Sequence, residues 1–160
     1  MSGVQSLSIT QAPPLAAMIA SFTEATANAY QEWNVVKKNK FGRRQERIFG
    51  VDGRLIYNAK RGALRGGNST GVHRAERSIS TIVKIEILAD EAHANASTNT
   101  STVSTTNPNF VESLASRTFR ITWADNNDIY NIEYTTDTSR ECVEIVAKIK
   151  FLLNRLKRQR

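Results

Sequence analysis

Six cations, Lys37, Lys38, Lys40, Arg43, Arg44 and Arg47, crowd one short stretch, with Glu46 the single acid among them. Side chains of this type and density attract anions, whether lipid headgroups, nucleic acid or acidic protein surfaces. Arginine adds bidentate hydrogen bonds to phosphate oxygens. Lys60, Arg61 and Arg65 form a second, smaller group, and Phe41 stands inside the first. Each cation near an anionic leaflet contributes about 1 kcal/mol, enough in sum for reversible recruitment. The whole chain leans the same way: its 160 residues carry a formal net charge of +7 and a pI of about 9.9.

Catalytic chemistry has a weaker basis. The two histidines, His73 and His93, lie in loop-like segments with no cysteine or carboxylate cluster at metal-ligand spacing. Cys142 is the one cysteine, so no intramolecular disulfide forms and a reducing compartment is expected. It falls on an apolar helical stripe, where a thiol is ordinarily buried and inert. The Gly-rich "RGALRGGNSTG" lacks the Gly-Lys-Ser/Thr ending and the following helix of a phosphate loop. A non-catalytic protein without metal or cofactor is the expectation.

Nucleic acid is disfavoured as the anion. Phe49, Phe119, Trp123 and Tyr134 fall on inward strand positions, whereas single-strand binders stack bases on exposed aromatics. No helix-turn-helix, zinc-finger or RNA-recognition signature appears. The triplets at Asn68, Asn95 and Asn99 read as chance matches to a glycosylation acceptor. The N-terminal stretch has no secretory pattern, and Leu15 to Ile19 is too short to span a bilayer. Ser2 stands where myristoylation needs glycine. No transmembrane segment is expected, so any membrane contact is peripheral and the location cytoplasmic.

The elements that must position these cations follow from periodicity. Residues 1–12 read as a flexible tail. Leu15, Met18, Ile19, Phe22, Ala25 and Ala29 recur at helical spacing after Pro13 and Pro14, predicting one helix within residues 13–32. Its polar face carries only Glu24, which suits packing or partner docking better than a membrane surface. Trp33 to Lys38 begins the strands. Gln45 to Val51 sets Arg47, Phe49 and Val51 on one side, Asp52-Gly53 predicts a two-residue hairpin turn, and Leu55 to Tyr57 returns. Arg77 to Ile79 is short and broken by Ser80-Thr81. Val83, Ile85 and Ile87 alternate against Lys84 and Glu86. Residues 89–116, rich in Ser, Thr and Asn, read as a flexible insertion.

Phe119, Ile121 and Trp123, then Tyr130, Ile132 and Tyr134, predict the last hairpin around Asp125 to Asp128. Thr138-x-x-Glu141 is a capping-box pattern. Beyond it Cys142, Ile145, Val146, Ile149, Leu152, Leu153 and Leu156 form one stripe of a helix over Ser139 to Lys157. The opposite face reads as basic, with Lys148, Lys150, Arg155, Lys157, Arg158 and Arg160. The expected class is mostly β with α: a seven-stranded antiparallel barrel or sandwich, capped by a C-terminal amphipathic helix, with an additional N-terminal helix.

This order resembles the pleckstrin-homology superfold, over residues 33–158. "GRRQERIFGVDGRLIYN" is similar to its second-to-third strand hairpin and "RSISTIVKIEI" to its fourth and fifth strands. "FRITWADNNDIYNIEYTTDTSRECVEIVAKI" is similar to its last hairpin and closing helix. Within the superfold, "NKFGRRQERIF" most resembles the lipid-binding tail-homology region of class I myosins. The resemblance implies a peripheral membrane or adaptor module that binds anionic phospholipid headgroups, phosphoinositides among them. It implies a lipid site of Lys38, Lys40, Arg43, Arg44 and Arg47, widened by Lys60 and Arg61, with Phe41 as a membrane contact. Two departures stand out. Val146 and Ile149 occupy the stripe where many relatives have tryptophan in the closing helix, and Gln45 interrupts the basic series Arg43, Gln45, Arg47. The second points to electrostatic rather than stereospecific binding. The alternative is a scaffold without lipid binding, which docks a protein partner at its N-terminal or C-terminal helix.

Overall fold

The computed structural model describes residues 13–60, 75–89 and 116–160. The expected tail, nearly all of the expected insertion, and Arg61, Arg65, His73 and His93 lie outside them.

Seven strands form one antiparallel sheet: β1 (Gln31–Lys38), β2 (Arg44–Val51), β3 (Leu55–Lys60), β4 (Ala75–Ser78), β5 (Ile82–Ile87), β6 (Thr118–Asp125) and β7 (Asp128–Thr136). Their order across the sheet is β4-β3-β2-β1-β7-β6-β5. A 3-10 turn, Ile79–Thr81, links the two edge strands. The closing helix α3 (Ser139–Arg158) packs against β5, β6 and β7. The expected class therefore holds.

Strict alternation on β6 sends Phe119, Ile121 and Trp123 inward, where each is fully buried. Phe49, Phe119 and Tyr134 form the centre of the core, with ring centroids 4.9 to 5.6 Å apart. Ile145, Val146, Ile149 and Leu152 of α3 complete it. The Thr138–Glu141 capping box forms as expected, each side chain accepting from the other residue's backbone N–H. Among the described residues, no helix is long and apolar enough to cross a membrane.

Four local expectations are corrected. The first concerns the single N-terminal helix, which divides into α1 (Leu15–Ser21) and α2 (Glu24–Asn28). Phe22 turns extended and Thr23 caps α2 through a reciprocal pair of hydrogen bonds with Thr26. The break turns Phe22 onto Phe151 of α3, with centroids 6.0 Å apart. β1 then begins at Gln31 rather than Trp33.

The second concerns the β2–β3 link, which is not a two-residue turn. Asp52 to Arg54 connects the strands, and the Asp52 carboxylate accepts from the Arg54 and Leu55 amides and from the Tyr57 hydroxyl. Gly53 is instead required for close approach, since a Cβ there would run into Asn28. The tight left-handed hairpin turn occurs at β6–β7, where Asn126 and Asn127 have φ of 44° and 78°.

The third is on β5. A bulge between Ile82 and Lys84 breaks the alternation, so Ile82 and Ile85 are buried and Val83 faces out. The fourth is Lys148, which is not on the basic outer face. It is fully buried, and its Nζ donates to the Ala29 carbonyl and to Gln31 Oε1. Burial lowers its pKa to about 8, with the Asp52 carboxylate acting in the opposite direction.

Candidate anion-binding site

The loop between β1 and β2 is built by one side chain. Asn39 Oδ1 accepts from the backbone amides of Phe41 and Arg43, both at 2.9 Å. The Asn39 amide donates to the Arg43 carbonyl, and Gly42 supplies the required positive φ of 78°. This frame holds Lys40 and Phe41 at the tip, the lysine 5.1 Å from the ring centroid. Phe41 is 78% exposed, so it does not fold back on the core.

Strand phase sorts the cations. Val35 and Phe49 face inward, and the period of two places Lys37 and Arg47 on the same inner face. Lys60 pairs opposite Arg47 and shares that face. Arg77 on β4 pairs opposite the buried Ile56 and also points in. Its guanidinium lies 4.8 Å from the Tyr130 ring centroid and 5.3 Å from that of Trp123. Burial lowers the Lys37 pKa, and the charges of Arg47 and Arg77 lower it further. The three cations therefore share the interior of the barrel's open end. Gln45, the interruption in the basic series, accepts from Arg47 at 2.9 Å and orients it.

Lys38 and Arg44 have the opposite phase. They face each other across β1 and β2 on the outer surface, and Lys38 lies 3.8 Å from Glu133. The first-strand lysine facing inward is thus Lys37, not Lys38 or Lys40. Outer-face cations are neutralised locally: Arg120 bridges Glu86 and Glu133, and Lys84 meets Glu86 at 2.6 Å. Among the described residues, no carboxylate forms such a pair with Lys37, Arg47 or Arg77. Lys37 and Arg77 are the residues absent from the expected lipid site. Lys37 was legible from its phase with Trp33 and Val35, and Arg77 from its place two residues before the buried Ile79.

Among the described residues, Trp123 Nε1 is a buried donor without an acceptor, and no group of His, Cys, Asp or Glu is placed to hold a metal. The open end is rich in cations and donors. Chemically it suits a ligand that brings acceptor oxygens and negative charge.

The family model for the pleckstrin-homology domain of SAPK-interacting protein 1 (Sin1) matches residues 28–155. No curated protein sequence matches the chain. The fold is similar to that of the Slm1 PH domain solved in complex with inositol-4-phosphate, at 8% identity and a TM-score of 0.50, covering 76% of this chain and 93% of that one. A second Slm1 PH structure, described as binding ligand away from the usual site, is similar at 13% identity and a TM-score of 0.50, covering 76% and 95%. A mutant of the DH/PH domains of p115-RhoGEF is similar at 12% identity and a TM-score of 0.50, over 78% of this chain and 30% of that longer one. The hairpin's likeness to the class I myosin tail-homology region rests on its basic run alone.

Proposed function

The chain belongs to the Sin1 pleckstrin-homology family, and we propose that it is a non-catalytic module that docks on anionic membranes by taking a phosphate-bearing headgroup into the barrel's open end. One observation supports this reading: Lys37, Arg47 and Arg77 lie on the inner face without a carboxylate pair among the described residues, and burial together with the charges of Arg47 and Arg77 lowers the Lys37 pKa. Part-buried like charges without counter-ions cost folding energy, and a phosphate group supplies the missing charge. Lys60 extends the inner set, Arg43 and Lys40 guard its loop, and Arg61 adjoins Lys60 in sequence. Lys38 and Arg44 contribute long-range attraction from the outer face, and Phe41 touches the membrane interface. Phosphoinositides fit best, since they concentrate phosphate charge on one headgroup. The Slm1 domain that holds inositol-4-phosphate in a similar fold supports the choice. A cytoplasmic, membrane-peripheral adaptor follows.

Vesicle binding and calorimetry with soluble inositol phosphates test the proposal together. Lys37→Ala combined with Arg47→Ala should weaken both by roughly tenfold or more. Lys38→Ala with Arg44→Ala should weaken vesicle binding alone, and mainly at low salt. Unchanged binding by the inner-face variant would refute the headgroup site. The scaffold reading keeps one observation: α1 has no fully buried residue, leaving it open to a protein partner.

A further inference from the structure

We infer that the rim beside the open end carries a second membrane anchor, Ile129 and Val83, which enters the interfacial layer of the bilayer alongside Phe41. This rests on the headgroup reading above. Phe41, Ile129 and Val83 are 78%, 70% and 61% exposed, the three most exposed large apolar side chains among the described residues.

Topology brings all three to one end. β1 and β7 are antiparallel, with Lys38 opposite Glu133. Phe41 lies beyond Lys38 in the loop, and Ile129 lies beyond Glu133 toward the β6–β7 turn. Both therefore project past the last β1–β7 pair in the same direction. Ile129 stands opposite Ala124, and Val83 sits in the bulge beside the Thr122–Trp123 step of β6.

Neither aliphatic residue has a packing reason to be there. Alternation on β7 sends Tyr130, Ile132 and Tyr134 inward and leaves Ile129 on the face of Asn131 and Glu133. The bulge turns Val83 away from a core that Ile82 and Ile85 already fill. Their neighbours, Lys84, Thr122, Asn131 and Glu133, are polar as a water-facing surface requires. Arg44, which forms no carboxylate pair among the described residues, lies on the same outer surface and complements an anionic leaflet.

The occupant is lipid rather than protein because of how the side chains are distributed. They stand on a loop, a hairpin and an edge strand: β6 lies between Ile129 and Val83, and Phe41 sits on the loop beyond β1, the neighbour of β7, with strands about 5 Å apart. A protein partner would need a contiguous, well-packed cluster, whereas a fluid acyl boundary accepts separate prongs.

The test uses the full chain with phosphatidylcholine vesicles containing phosphatidylserine and a phosphoinositide, beside soluble inositol-4-phosphate. The double variant Ile129→Ser, Val83→Ser should lose vesicle affinity roughly tenfold. Its affinity for the soluble ligand and its salt dependence should stay unchanged, since no charge is altered. An environment-sensitive dye on Ile129→Cys should shift to the blue on vesicle addition; the native Cys142 is buried and will not compete for label. Full vesicle affinity in the double variant, an unshifted dye, or an equal loss for the soluble ligand overturns the second anchor. If the unmodified chain binds no vesicles, the headgroup reading falls, and this inference with it.

Discussion

Arg77 on β4 donates to the Tyr130 hydroxyl on β7 and stacks on its ring, joining strands that are not neighbours in the sheet. One side chain thus braces the barrel and charges its interior. Arg77→Ala should lower affinity for soluble inositol phosphates roughly tenfold and cost about 1–2 kcal/mol of stability. Arg77→Lys should recover part of the affinity but less of the stability, because an ammonium lacks the planar fork. Calorimetry and chemical unfolding separate the two effects.

Lys148 makes stability depend on alkaline pH. Its pKa falls from 10.5 to about 8 on folding. Between those values the unfolded chain holds the proton that the folded chain has released. Stability should therefore rise as pH climbs from about 8 toward 10.5, by about 1.4 kcal/mol per unit at most. Tyr134 opposes this at the upper end. Burial raises its pKa from 10.0 to about 12, so its contribution is present below 10 and is lost as pH rises through 12. Denaturant melts across this range should show a maximum near pH 10. Lys148→Met should remove most of the rise, leaving the share due to Lys37, and keep the fall.

Removing residues 1–28 should destabilise the whole domain, not merely delete a docking helix. Arg155 of α3 donates to Glu24, Asn28 and the Gly53 carbonyl. Ala27 is fully buried. Phe22 and Leu15 pack on the core margin. The expected loss is about 3–5 kcal/mol, read as a lower midpoint or a lost transition in thermal melts. Glu24→Ala alone, at an exposed ion pair, should cost no more than about 1 kcal/mol.

Gly53 and Asn28 should be energetically coupled. Gly53→Ala drives a methyl into the Asn28 side chain, which Arg155 holds in place. A loss of about 1–3 kcal/mol is expected. Asn28→Ala removes the obstacle, so the double variant should lose less than the sum of the single variants. A double-mutant cycle in urea measures the difference.

Much of this was legible in the residues. Alternation on β6 and β7, the Thr138–Glu141 box and the α3 stripe dictated their elements because each signal is local and unopposed. Lys148 was legible too: it lies three residues after Ile145 and four before Leu152, on the stripe rather than opposite it. The helix break at Phe22 was hidden, because the apolar spacing continues unbroken through it and the decisive contact is with Phe151, remote in sequence. The Val83 bulge was hidden for a similar reason. Ile82, Val83, Ile85 and Ile87 fit either phase until β6 imposes a register. Of the binding residues, the basic loop was plain. Its division into inner and outer cations required the phase of β1, which Trp33 and Val35 already carried.

The antiparallel sheet also separates traffic. The β1–β2 loop and the β6–β7 turn open at one end, while α1, α2 and the β2–β3 link gather at the other, beside α3. A bilayer held at the first end leaves the second facing away from it. Lipid and protein would then be cargo for opposite poles of one body, able to be held together rather than in exchange.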